Sequence, residues 1–334
     1  MKAVWYDRLG PAEEVLQYGE LPTPQPGPGE LRVRLIASAV NPADANRRGG
    51  RQHSMEFPRI IPNSDGAGVV DAVGEGVPHA RVGERVWIYF GQRGRPFGTA
   101  AQYICLPQEL ASPLPEHVSE AEGACLGIPC MTAFCALFDN GPIGGSTVLV
   151  TGGAGAVGHY AIQLAKWGGA RVLATVSSPE KAAHALRGGA DVVVDYTRDG
   201  AAQELREAAG PGGVQRIVDV DAASNAPLVL ELAGEAAQWI TYAIGRQPTE
   251  TFPLAALIRK NVQLRGLFLP GLPAQVRRSA QLGVGRWLAE TPGALHTVDS
   301  RFALRDTAQA HRAVEAKTKL GTVIVLCDPS ATPG

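Results

Sequence analysis

Gly153, Gly155 and Gly158 form a G-x-G-x-x-G turn directly behind the apolar, β-branched run Val148, Leu149, Val150. Glycines at this spacing let a backbone turn tightly and approach a pyrophosphate with no Cβ in the way. Behind them, Val157, Tyr160, Ala161, Leu164 and Ala165 follow helical spacing. Such a helix aims its first N–H groups, and the positive end of its dipole, at an anion. A glycine-rich chain can produce the bare motif by chance. A strand before it and a helix after it favour a dinucleotide turn over an ordinary βα connection.

The next strand covers residues 170–176 and ends in Ser177, Ser178, Pro179, Glu180 and Lys181. A coenzyme with a free ribose 2′-hydroxyl usually meets Asp or Glu about 20 residues beyond the glycines. Ser177 stands 22 positions after Gly155, and no carboxylate occupies the strand end. Ser178 and Pro179 mark a helix start. Two hydroxyls, helix N–H groups and the Lys181 ammonium suit a phosphate dianion, so the expected coenzyme is NADPH. The competing reading makes Lys181 a solvated helix lysine and the serines simple caps.

These residues need a sheet to hold them, and 334 residues are enough for two domains with sizeable cores. Residues 1–125 contain short β-type runs at 31–39, 66–73, 85–90 and 101–106, and an extended PTPQPGPG connection. A small β-barrel-like domain is expected there. From residue 126 to about 265, strands and helices alternate, as in a doubly wound parallel sheet. The run Thr322, Val323, Ile324, Val325, Leu326 has no helix after it, so residues 266–334 are expected to return to the first domain. A net charge of −1 and no basic aromatic stripe argue against nucleic acid as a partner. No run of about 18 apolar residues appears, and the start MKAVWYDRLG lacks a signal-peptide core. Five cysteines without a C-x-x-C spacing favour reduced thiols and a cytoplasmic location.

Several segments together carry a family resemblance: Asn41-Pro-Ala-Asp44, Gly66-Ala-Gly-Val-Val-Asp-Ala-Val-Gly74, Val82-Gly-Glu-Arg-Val86, Gly127-Ile-Pro-Cys-Met-Thr-Ala133, the glycine turn, Val194-Asp-Tyr196 and Leu320-Gly321. The chain resembles the medium-chain dehydrogenase/reductase superfamily, and within it the zinc-free quinone oxidoreductases of the zeta-crystallin type. The resemblance implies a GroES-like β-barrel domain plus a Rossmann domain. Zinc-dependent members place a Cys where Asn41 stands, a His where Ser64 stands and a third Cys near Ile128. Asn41, Ser64 and Ile128 offer none of the thiolate or imidazole that zinc takes, so no metal is expected. The four-cysteine lobe of those relatives is matched by a short loop, residues 91–98, without cysteine. His53, His79, His117, His159, His184, His296 and His311 show no ligand spacing and read as surface or turn residues.

Carried over to matching positions, the resemblance implies that Ala154, Ala156 and Val157 meet the pyrophosphate with the three glycines. Ser177, Ser178, Lys181 and Tyr196 surround the 2′-phosphate. Asn225 follows the fourth strand, Ala243, Ile244, Gly245 and Arg246 approach the nicotinamide ribose, and Leu267, Phe268 and Leu269 line the nicotinamide pocket. Asn46 and Thr132 complete the cofactor-side set. Asn46 and Gln52 stand where the family often has aromatics, and Cys130 also replaces one, which weakens the stacking of a flat quinone.

Hydride transfer from a nicotinamide mainly requires donor and acceptor to be held together and dry. Asn41 is the candidate donor to the growing oxyanion, with Asp44 and Ser64 as secondary candidates. Asp44 reads equally well as a cap on the Asn41-Pro42 turn, and no paired acids are evident. The leading expectation is an NADPH-dependent quinone reductase, the second an NADPH-dependent reductase of activated C=C bonds. A third, from another class, is a non-catalytic NADPH-binding or RNA-binding protein. A homodimer through the edge at residues 262–268 is expected from the resemblance.

Overall fold

Six strands between residues 147 and 266 form one parallel sheet, described here with the rest of the chain from a computed structural model. The structure describes residues 1–51, 54–243, 252–316 and 318–328. Gln52, His53, Ile244, Gly245 and Arg246 lie outside the described residues. Across the sheet the order is Val192–Asp195, Arg171–Val176, Thr147–Val150, Val214–Asp219, Ala233–Thr241 and Gln263–Gly266. The chain order therefore reverses between Thr147–Val150 and Val214–Asp219, which is the switch point where such sheets take ligands at their carboxyl ends. Leu149, Leu173, Val194, Ile217 and Trp239 are fully buried and pack with Leu205, Val229 and Leu232 from the covering helices. Each such side chain contributes roughly 2–3 kcal/mol by leaving water.

A second large sheet has seven strands and is largely antiparallel, beside a two-stranded ribbon of Lys2–Trp5 and Gln17–Glu20. Its centre is Glu30–Val40, whose alternate residues Leu31, Val33 and Leu35 are buried as a strand with one inward face requires. Thr322–Leu326 pairs antiparallel with that strand, Val323 opposite Val40, so the C-terminal segment does return to the first domain. This is the GroES-like unit, comprising residues 1–128 and 296–334, while residues 129–295 form the Rossmann unit. The second boundary falls later than the expected residue 265, because helix Ala274–Glu290 packs into the Rossmann unit. Its Gly283 lies so close to the Phe134 ring that a Cβ would come within 2.0 Å of it, and Trp287 meets the Tyr160 ring edge-on at 6.0 Å.

The expected surface placement of the histidines is wrong for four of them: His159, His184, His296 and His311 are buried. His159 and His184 stack at 3.9 Å between ring centroids, joining the two helices after the first two Rossmann strands. His159, His184 and His311 are single residues in helices and His296 lies in a loop, so none carries a periodicity that would show it facing inward.

Candidate active site

The turn after Thr147–Val150 shows why two of its glycines are there. The left-handed residue is Gly152, at φ +64°, just ahead of the fingerprint. Gly153 N donates to Thr175 O at 2.9 Å, tying the turn to the second strand. A Cβ on Gly158 would lie 2.3 Å from Gly152 O, so only glycine allows the helix to start this close to the turn. Helix Ala156–Trp167 begins its bonding with His159 N to Gly155 O at 2.8 Å. The N–H groups of Ala156, Val157 and Gly158 therefore have no acceptor within the helix, and Ala154 is buried beneath them. Free N–H groups at a helix start suit an anion by charge.

At the end of the second strand, Lys181 Nζ donates to Ser177 Oγ at 2.8 Å, and Ser178 Oγ caps the helix by accepting Lys181 N at 3.3 Å. Ser177 and Lys181 thus already meet, while Ser178 serves the helix. Tyr196 is 56% exposed, with its main-chain N–H bonded to Val176 O. The Asp195 carboxylate beside it is occupied by Thr197, accepting from its N–H at 3.0 Å and its hydroxyl at 2.7 Å. This strand end suits a second anion.

On the other side of the glycine turn, at the end of the neighbouring strand Val214–Asp219, sits Asp219, a fully buried carboxylate. Oδ1 accepts from Thr151 Oγ1 at 2.6 Å, Asn225 Nδ2 at 2.7 Å and Asp221 N at 3.1 Å; Oδ2 accepts from Trp239 Nε1 at 2.9 Å. Asn225 lies within helix Ala222–Leu232 with one amide hydrogen used by this carboxylate. Ala243 is exposed, Leu267 and Leu269 are buried, and Phe268 is 66% exposed. Thr132 is buried in helix Gly127–Phe138, and Asn46 is exposed on helix Pro42–Arg48.

In the GroES-like unit, Asn41, Asp44 and Ser64 come together, with Asp65 as a fourth member. Asn41 precedes helix Pro42–Arg48, where Pro42 fits the first position. Asn41 N donates to Asp44 Oδ2 at 2.8 Å, and Ser64 Oγ donates to Asp44 Oδ1 at 2.8 Å. Asn41 Nδ2 donates to Asp65 Oδ2 at 2.7 Å, leaving its second amide hydrogen for another acceptor. Asn41 therefore bridges two buried carboxyls, which corrects the expectation that no acids pair. Burial pushes the Asp44 carboxyl up, opposed by the bonds from Asn41 N and Ser64 and by the charge of Arg47. Burial first, and then Asp44, raise Asp65 well above the carboxylate range. Asp65 was missed because an acid at the opening of a strand that carries a second acid, Asp71, gives no local sign of being buried.

A buried chain of hydrogen bonds ends on the same residue. His311 meets Asn63 Oδ1 at 3.0 Å, and Asn63 Nδ2 donates to Ser38 Oγ at 3.0 Å. Ser38 lies 2.8 Å from Thr99 Oγ1, which donates to the Asp65 carbonyl at 2.7 Å. Among the described residues, no three His, Cys, Asp or Glu side chains converge into a group that could hold a metal ion. None of the described helices is long and apolar enough to cross a membrane.

Comparison with known proteins follows the same division. Residues 27–116 match the family model described as alcohol dehydrogenase GroES-like domain, and residues 156–284 match the one described as zinc-binding dehydrogenase. The chain is 27% identical to a quinone oxidoreductase of Rattus norvegicus, over 98% of each sequence. It is 32% identical to an NADPH-dependent alkenal/one oxidoreductase of Arabidopsis thaliana, over 60% of this chain and 53% of the relative. A solved structure of an NAD-dependent alcohol dehydrogenase superposes with a TM-score of 0.89 at 30% identity, covering 98% of this chain and 99% of the other.

Proposed function

The chain belongs to the medium-chain dehydrogenase/reductase superfamily, in its quinone oxidoreductase branch, and from that premise we propose an NADPH-dependent quinone oxidoreductase working without a metal. Relatives differ in the coenzyme their names carry, so the choice rests on this chain's own residues. The observation that supports it is the Lys181 ammonium at 2.8 Å from the Ser177 hydroxyl, at the strand end where a 2′-hydroxyl coenzyme needs an acid. Ala154, Ala156, Val157, Gly153, Gly155 and Gly158 would hold the pyrophosphate, and Ser177, Lys181 and Tyr196 the 2′-phosphate.

When bound, the coenzyme supplies the hydride. Asn41 then offers its remaining amide hydrogen to the acceptor oxygen as charge grows there. Asp44 holds this donor in place, accepting from Asn41 N and from the Ser64 hydroxyl, while burial pushes its carboxyl above the usual value. Zinc is left out of the proposal because positions 41, 64 and 128 present an amide, a hydroxyl and an aliphatic side chain.

A second reading, reduction of activated C=C bonds in alkenals and enones, is favoured by exposed Asn46 and buried Cys130, which provide no aromatic face for a quinone. A cytoplasmic homodimer belongs to the same proposal. Leu264 and Phe268 are exposed on or just beyond the edge strand Gln263–Gly266, with Leu254 and Ile258 on the helix before it.

The test is an acceptor screen under saturating NADPH, with 1,2-naphthoquinone set against an enone series. Faster oxidation by the quinone is expected. Faster turnover of enones moves the assignment to the second reading, and no turnover by any acceptor overturns both.

A further inference from the structure

Asp65 is wholly buried, and its two oxygens are used unequally. Oδ2 accepts from Asn41 Nδ2 at 2.7 Å and from Ile128 N at 2.8 Å. Oδ1 has no hydrogen-bond partner and no contact with solvent. It faces Gly127, where an added Cβ would sit 2.3 Å away. A carboxylate spreads its charge over both oxygens, and leaving one dry and bare beside a second carboxyl is costly. The neutral acid divides the oxygens differently. With the proton on Oδ1, Oδ2 becomes a carbonyl oxygen whose two lone pairs match its two donors.

We propose that Asp65, as the neutral acid protonated on Oδ1, is the positioning residue that turns the Asn41 amide so that its second N–H is presented to the acceptor oxygen. The inference rests on the reading of Asn41 as the oxyanion donor. An amide can face either way at similar shape, and what decides is the partner. Here Oδ2 of Asp65 can only accept, so the NH2 end of Asn41 must face it. Burial and the nearby Asp44 both favour the uncharged form. The main-chain side of Asp65 is fixed separately, through Thr99.

Asn at position 65 is the neutral acid's isostere: its carbonyl can replace Oδ2 and its NH2 the protonated Oδ1. Asp65→Leu keeps the bulk and removes the acceptor. Turnover, KM and NADPH affinity are measured for Asp65→Asn, Asp65→Leu, Asn41→Ala and the Asn41→Ala/Asp65→Leu double variant, with thermal unfolding to confirm the fold. Asp65→Asn is expected within about 3-fold of wild-type kcat. Asp65→Leu is expected to lose kcat on the order of 100-fold, the scale of a lost oxyanion donor, with NADPH affinity unchanged. The double variant should lose no more than Asn41→Ala alone. If Asp65→Asn is folded and loses kcat on the 100-fold scale, the neutral form is not what the site needs and the proposal is overturned; this arm decides even where Asp65→Leu fails to fold. Impaired Asn41→Ala beside unimpaired Asp65→Leu overturns the inference alone. Full turnover by Asn41→Ala removes the underlying reading, and the inference with it.

Discussion

His311 Nε2 lies 3.0 Å from Asn63 Oδ1, a bond between residues 248 positions apart that ties the C-terminal helix Thr307–Glu315 to the loop leading into Ser64 and Asp65. Asn63 Nδ2 is spent on Ser38, so Oδ1 is the accepting atom and His311 carries its proton on Nε2. Asn63 itself sits at φ +73°, a left-handed conformation that asparagine tolerates better than most residues.

Burial lowers the His311 pKa from 6.5 to about 3. Between those values the unfolded chain binds a proton that the folded chain refuses, so stability falls as pH falls through this window. From pH 7 to pH 5 the His311 share of the loss should be about 2 kcal/mol. His311→Gln is expected to remove that share while His296, lowered to about 4, keeps its own. Urea unfolding of both proteins at the two pH values checks this. Identical pH dependence would show that His311 is not held neutral.

Asp219 gathers Thr151, Asn225 and Trp239 around one buried carboxylate. Asp219→Leu strands the three side-chain donors and the Asp221 N–H, the buried ones at about 1–3 kcal/mol each. A stability loss of more than about 3 kcal/mol is expected in denaturant titration, with Asp219→Asn losing clearly less because one oxygen remains to accept. Equal losses would mean that the site needs the charge rather than the hydrogen bonds.

Gly158→Ala places a methyl 2.3 Å from Gly152 O, and the turn has to open to admit it. Overpacking of this kind costs about 1–3 kcal/mol. Since the strain falls on the phosphate cradle, calorimetry should give coenzyme affinity at least about tenfold weaker. Unaltered affinity would place the pyrophosphate elsewhere.

The parts legible in the sequence were those whose partners are near in the chain. The strand, turn and helix around Gly153 to Val157 announce themselves within 20 residues, and Ser178 with Pro179 marks the start of helix Pro179–Arg187 where the structure has it. The return of Thr322–Leu326 was visible as a β run with nothing after it. What stayed hidden was made by distant partners. Asp65 meets Asn41 across 24 positions, Asp219 meets Thr151 across 68, and His311 meets Asn63 across 248. A lone polar residue inside an apolar stretch gives no hint of what satisfies it until the fold supplies the partner.

Calorimetric titration of the wild-type protein and Lys181→Ala with NADPH and NADH tests the coenzyme site most directly. Wild type is expected to bind NADPH at least about tenfold more tightly, as a charge-assisted phosphate contact of about 1.5–3 kcal/mol implies, and Lys181→Ala to lose most of that margin without weakening NADH. Equal or tighter binding of NADH by the wild-type protein would contradict it.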